Sequence, residues 1–165
     1  MKKLCAILAI VLCLLTAFAC AEPDYAPESG TGWMKVDIYD EPQELSFKGI
    51  SKGMSGEVFI FENETYTVSI VLDKKLEVGV TGGENSIKQI EVYSHATNTS
   101  GYYFTKKSSS ASVDSEVTLQ KKAEDGIWQG NFRVTVLTAD RWLGDMKPGL
   151  IAELPLENGE FCFCE

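Results

Sequence analysis

The chain is poor in the residues that build most catalytic and metal centres. His95 is its single histidine, which excludes a zinc site made from several imidazoles. A Ser-His-acid triad needs one histidine, but there is no G-x-S-x-G elbow to hold its serine. His95 stands in the polar run His95-Ala96-Thr97-Asn98, which reads as a solvated loop. No EF-hand spacing, glycine-rich phosphate loop or internal repeat is present.

Basic residues are also scarce. The chain has 15 Lys+Arg against 24 Asp+Glu. Affinity for phosphate backbones comes from Lys and Arg, so nucleic acid is excluded as a partner class. Of the five cysteines, Cys5, Cys13 and Cys20 lie in the first twenty residues. Cys162 and Cys164 remain, too few for a disulfide scaffold. Two thiols one residue apart on a strand point the same way and suit a soft metal. Such sites draw on further ligands, and no other cysteine remains. The pair therefore reads as two small apolar residues on a terminal strand.

What is present begins with the leader. Lys2 and Lys3 precede the apolar run Leu4–Leu15, and small residues follow before Glu22-Pro23-Asp24. A charged start, an apolar middle and a small-residue exit are the marks of a secretory signal. The run is shorter than the ~20 apolar residues that a membrane span needs. Ala19-Cys20-Ala21 offers small residues to an ordinary signal peptidase, leaving Glu22 first. Ala17-Phe18-Ala19-Cys20 instead resembles a lipobox, with Cys20 as the lipid-bearing residue. Lipoboxes usually carry Leu where Ala17 stands and a small residue where Phe18 stands. Residues 1–21 are expected as signal peptide, 22–32 as a flexible tether rich in Pro and Gly, and 33–165 as one domain. The leader takes two of the basic residues and none of the acidic ones, so the mature net charge is near −11. That charge suits solubility.

The body reads as β-structure. Period-two alternation, bounded by turn residues, recurs along it: Met34, Val36 and Ile38 alternate with Lys35 and Asp37. Three turns predict registers. A connection at Asp73-Lys74-Lys75 sets Leu72 against Leu76, Ile70 against Val78 and Val68 against Val80. A turn at Asp125-Gly126 sets Leu119 against Phe132 and Val117 against Val134, with Trp128 and Val136 on the same apolar face. A turn at Asn158-Gly159 sets Leu156 against Phe161 and Leu154 against Phe163. Further strands are expected at Glu57–Phe61, Ile87–Tyr93 and Tyr102–Thr105. The sum is an all-β, antiparallel, hairpin-rich β-sandwich or small barrel of nine or ten strands.

Candidate sites are few. Asp37, Asp40, Glu41 and Glu44 cluster, as paired acids of a glycosidase or a calcium site do; in so acidic a chain the cluster reads as a solvated turn. Among the aromatics Trp33, Tyr93, Tyr102, Tyr103, Trp128 and Trp142, the register puts Trp128 in the core. Adjacent Tyr102 and Tyr103 point to opposite faces of a strand. Trp142 lies in a long connection near Gly144 and Pro148. Trp142, Tyr102 and Tyr103 are the candidate ligand-binding residues. Gly32-Trp33 ahead of the first strand resembles the start of lipocalin-type barrels. The resemblance covers that pair alone and implies a carrier for a small apolar molecule.

The sequence thus points to an exported, non-enzymatic β-domain, with no cofactor or metal, that binds a ligand or protein partner at the cell envelope or beyond it. The alternatives are a lipocalin-like apolar carrier and a carbohydrate-active hydrolase with paired carboxylates. Membrane contact is expected through a lipid on Cys20 alone. Intact-mass analysis of the exported chain tests the leader: the expected mass is that of residues 22–165, whereas a lipidated chain starts at an acylated Cys20.

Overall fold

The structure, a computed structural model, describes residues 27–83, 86–97, 99–104, 115–122, 126–138 and 152–165. Ten strands follow one another: β1 (Gly32–Ile38), β2 (Glu41–Gly53), β3 (Gly56–Glu62), β4 (Tyr66–Leu72), β5 (Thr81–Gly82), β6 (Ile87–Ser94), β7 (Thr99–Phe104), β8 (Ser115–Lys122), β9 (Ile127–Thr138) and β10 (Ala152–Cys164). No helix occurs among the described residues. The strands form one antiparallel sheet in the order β10-β1-β2-β3-β4-β6-β7-β9-β8-β5, curled into a half-barrel. The curl brings β10 onto β9 along most of its length, and β7 onto β9 at one pair, Tyr102 with Leu137.

Alternation explains the core. Met34, Val36 and Ile38 of β1, Leu45 and Phe47 of β2, and Phe59 and Phe61 of β3 point inward and are buried. On β4 and β6 the inward set is Val68, Ile70, Leu72, Ile87, Ile90 and Val92. Phe163 stands at the centre. Its ring lies 4.6 Å from Phe47, 4.7 Å from Phe59, 5.5 Å from Phe61, 6.0 Å from Phe161 and 6.3 Å from Trp128, centroid to centroid. Offset and tilted rings at such distances attract beyond their area burial.

The three predicted registers fare differently. The turn after Asp73 exists: its carbonyl accepts from the Leu76 N–H at 3.0 Å and its Oδ1 from the Lys75 N–H at 2.9 Å. The chain does not return along β4, however. Leu72, Ile70 and Val68 pair with Ile87, Ile90 and Val92 of β6. Val78 and Val80 are 53% and 54% exposed, while Leu76 enters the core. Gly79, at φ 78°, breaks the extended run between the two valines. Its N–H bonds to Leu119 of β8 instead.

The β8–β9 hairpin forms with its register moved by two residues, Val117 opposite Phe132 and Leu119 opposite Gly130. An even shift keeps every side chain on its face, so Trp128 and Val136 are still buried. The shift accompanies an irregularity between Leu119 and Lys121.

Asn158-Gly159 is not a hairpin. β10 runs straight through it, pairing with β1 on one edge and β9 on the other. Leu154 and Leu156 occupy even positions, Phe161 and Phe163 odd ones, and all four are buried. A β-bulge between Leu156 and Gly159 reconciles them: one extra residue against each neighbour reverses the parity. Asn158 takes φ 51° there. A Cβ on Gly159 would lie 2.5 Å from the Phe132 ring, and one on Gly32 would lie 2.3 Å from Phe163 Cβ. Glycine is required at both points of close approach.

The half-barrel has two rims. The upper rim carries the β1–β2 turn at Tyr39-Asp40, residues 63–65 and the turn after β6. The lower rim carries the β2–β3 hairpin tip, residues 73–80, the end of β8 and both ends of the described chain. Within the stretch expected as tether, Pro27 is buried. Gly30 N–H and Thr31 C=O pair with Cys164 at 2.9 Å each, and Ser29 Oγ donates to Glu165 O at 2.8 Å.

Phe163→Ala should cost about 3–5 kcal/mol of unfolding free energy, whereas Met54→Ala, at a fully exposed position, should stay within about 0.5 kcal/mol. Urea unfolding midpoints of the two variants check both values.

Candidate functional site

The outer face of β8, β9, β10, β1 and β2 follows from the same alternation. With apolar residues turned inward, polar side chains line up across the strands in register. One row runs Thr81, Thr118, Asn131, Glu160, Lys35, Glu44. A second holds Glu116, opposite Arg133, and Asp37, opposite Glu157. Between them the β10 bulge opens a shallow groove of about 320 Å³. Its walls include Glu116, Thr118, Asn131, Arg133, Glu157 and Glu160.

The groove is held by hydrogen bonds. Arg133 Nε and Nη2 donate to the two carboxylate oxygens of Glu116 at 3.0 and 2.9 Å, the two-pronged geometry that guanidinium and carboxylate favour. Asn158 Nδ2 donates to Asp37 Oδ2 at 2.7 Å, which ties the bulge to β1. Thr81 and Thr118 hydroxyls meet at 2.8 Å. Beside the groove, Lys35 Nζ sits 5.1 Å over the ring of Trp33, a cation–π distance. The surface offers carboxylates, an amide, a hydroxyl and one guanidinium.

A second surface depression, about 350 Å³, lies between the Asp73 turn and Gly82, Gly83 and Ser86. Its fixed point is the Asp73–Lys88 ion pair at 2.6 Å. The Lys88 hydrogen bond, then the Lys75 N–H, hold the Asp73 carboxyl below the ordinary carboxylate range, against a smaller opposing effect of burial. At the upper rim, Tyr66 packs on the core. Burial, then Tyr39 and Glu41, push its phenol upward.

The candidates read from sequence scatter. Trp142 and Cys20 lie outside the described residues. Tyr102 and Tyr103 are on β7, in register with Glu91 and Ile90, away from the groove. The acidic cluster is divided by strand geometry: Asp37 is held by Asn158, Asp40 is in a turn at φ 61°, and Glu41 and Glu44 stand at positions of opposite parity on β2. No group of three or more metal-binding side chains occurs among the described residues.

His95 is exposed in the turn after β6, and both its ring nitrogens are engaged, Nδ1 with Glu64 O at 3.0 Å and Nε2 with Thr67 Oγ1 at 2.9 Å. A carbonyl only accepts, so Nδ1 carries the proton there. Asn63, a glycosylation sequon by pattern, uses Oδ1 for the N–H groups of Thr65 and Tyr66 and Nδ2 for Gln43 and Glu44; it is a turn-forming residue. Cys162 and Cys164 are buried thiols, not joined in a disulfide. Their strand is interior to the sheet, with both edges paired, and so is not free to join a neighbour's sheet. Trp128 is core, as expected, and donates Nε1–H to Glu165 at 2.6 Å.

Sequence reasoning missed the groove because its residues come together across a bulge that looks like a turn. The parity change between Leu156 and Phe161 was the available signal. No protein-family model, curated protein or solved structure matches the chain. Fold and surface define a class, an all-β half-barrel whose described core is packed with aromatic and aliphatic side chains and whose outer sheet face carries a polar groove.

The lowered Asp73 carboxyl sets a pH dependence. Its stabilisation is complete above the unfolded carboxylate value of about 3.9 and is lost as pH falls through its folded value. Asp73→Asn should therefore lower the urea midpoint at neutral pH, and the difference from the parent should shrink as pH falls below the ordinary carboxylate range.

Proposed function

We propose that the chain is an exported, extracytoplasmic binding domain, non-enzymatic, that presents the groove over the β10 bulge to a polar ligand or protein partner of the cell envelope. The observation that carries this reading is the division of the molecule: rings fill the described interior around Phe163, while the recognisable polar groups converge on the outer face. Binding sites are concave surfaces with a few placed polar groups, and the bulge supplies that concavity. Bulges are devices that re-aim side chains near functional sites.

Among the described residues, Phe47, Phe59, Phe61, Phe161 and Phe163 are buried in the interior, which weighs against an apolar carrier. The hydrolase reading draws little from the groove. Both oxygens of Glu116 are engaged by Arg133, which leaves it poorly placed as a proton donor.

The test is binding of the purified mature chain to isolated envelope fractions, beside an Asn131→Ala/Arg133→Ala/Glu160→Ala variant. Retention on one fraction, weakened at least ten-fold in the variant (about 1.4 kcal/mol), is expected. Equal retention of the variant removes the groove, and no retention on any fraction removes the reading.

A further inference from the structure

Charge and exposed apolar surface are unevenly divided between the two rims. Nine Lys and Arg stand among the described residues. Seven belong to the lower rim: Lys48 and Lys52 on the β2–β3 hairpin, Lys74 and Lys75 after β4, Lys88 opening β6, and Lys121 and Lys122 closing β8. The other two, Lys35 and Arg133, lie mid-sheet on the outer face. The upper rim has none among its described residues, and carries Asp40, Glu41 and Glu64.

The lower rim is not purely basic. Glu28, Glu57, Asp73, Glu77 and Glu165 stand there too. Asp73 is bound by Lys88, and Glu165 accepts from Trp128. Lys122 is spent on the carbonyls of Lys74 and Leu76, both at 2.7 Å. Lys48, Lys52, Lys74 and Lys75 are exposed.

The exposed apolar side chains follow the lysines. Of the five large hydrophobic residues that are exposed among the described residues, Ile50, Met54, Val78 and Val80 are at the lower rim. Met54 is fully exposed at the tip of a two-stranded arm. Pairing of β1 with β2 stops at Ser46, and pairing of β3 with β4 begins at Phe59, so the hairpin around Met54 continues past the last paired residues on either side.

The third observation is independent of both. The described chain begins at Pro27, and residues 28–31 are bonded to Cys164 and Glu165 at this same rim. Seven residue steps separate Cys20 from Pro27, a reach of at most about 25 Å. A chain tethered by its N-terminus therefore presents this rim to its anchor.

From these three we infer that the lower rim is a docking surface for an anionic lipid bilayer, with Lys48, Lys52 and Lys74 meeting headgroup phosphates and Met54 entering the interface. Exposed lysines are attracted to anionic headgroups over roughly a screening length, and an exposed thioether side chain gains by leaving water. The groove and the upper rim then face away from the bilayer, open to a partner. The tether's part in this orientation rests on the export reading; the lipid contact itself does not.

Flotation with protein-free vesicles tests it, using residues 22–165, which lack Cys20, so that no acyl chain contributes. Binding to phosphatidylglycerol vesicles and not to phosphatidylcholine vesicles is expected. It should weaken as salt rises from about 0.1 M to about 1 M, where the screening length shrinks from about 10 to about 3 Å. Lys52→Ala and Lys74→Ala should each weaken it about five-fold, and Met54→Ser about ten-fold. The urea midpoints of these surface variants should stay at the parent's value. Equal binding to both vesicle types overturns the inference. So does loss of binding in Tyr39→Ser at the upper rim with the lower-rim variants unchanged, or capture of a soluble polyanion with no vesicle binding. The groove variant described above should float like the parent, which separates failure of this inference from failure of the groove.

Discussion

One extra residue in β10 allows a single strand to bury Leu154 and Leu156 before it and Phe161 and Phe163 after it. Without the bulge, the second pair would face outward and the interior would lose the ring that five other aromatics surround. Neighbouring strands are committed to that arrangement. Gly32 and Gly159 lack side chains where Phe163 and Phe132 come closest, so β1 and β9 approach β10 tightly enough to pair on both of its edges. The curl of the sheet follows, because β10 links β1, near the start of the chain, to β9, near its end.

The same bulge shapes the outside. Pushing Asn158 out of both ladders opens the groove, and the Asn158–Asp37 hydrogen bond anchors its far wall. Core and surface are thus two consequences of one backbone irregularity. The outer face and the rims differ in chemistry: amide, hydroxyl and carboxylate on the sheet face, lysine and exposed aliphatic side chains at one rim, acid and tyrosine at the other.

Much of the fold was legible from alternation. The all-β class, the positions of β3, β6 and β7, and the inward face of β1 follow from period two alone. Registers were less legible, for specific reasons. Val78 and Val80 matched β4 as well in pattern as Ile90 and Val92 do, and Gly79 decided between them by breaking the strand. The β8–β9 hairpin kept its faces while sliding by two residues, because an even shift costs no burial. Asn158-Gly159 has the composition of a tight turn, and a bulge and a hairpin produce the same parity change. The groove is hidden for that reason, since in the sequence Asn131, Arg133 and Glu160 are only polar positions beside apolar neighbours.

What the sequence by itself determined is local: which residues seek the interior, where extended segments lie, and an acidic charge balance. Hydrophobic alternation is written residue by residue and needs no partner to be read. Only the tertiary structure decided which strand meets which, that β10 is interior and not a terminal hairpin, and that lysines distant in sequence share one rim. Those choices depend on ring packing around Phe163 and on close backbone approach at glycines. They include contacts between residues more than a hundred positions apart, and a local pattern carries no record of them.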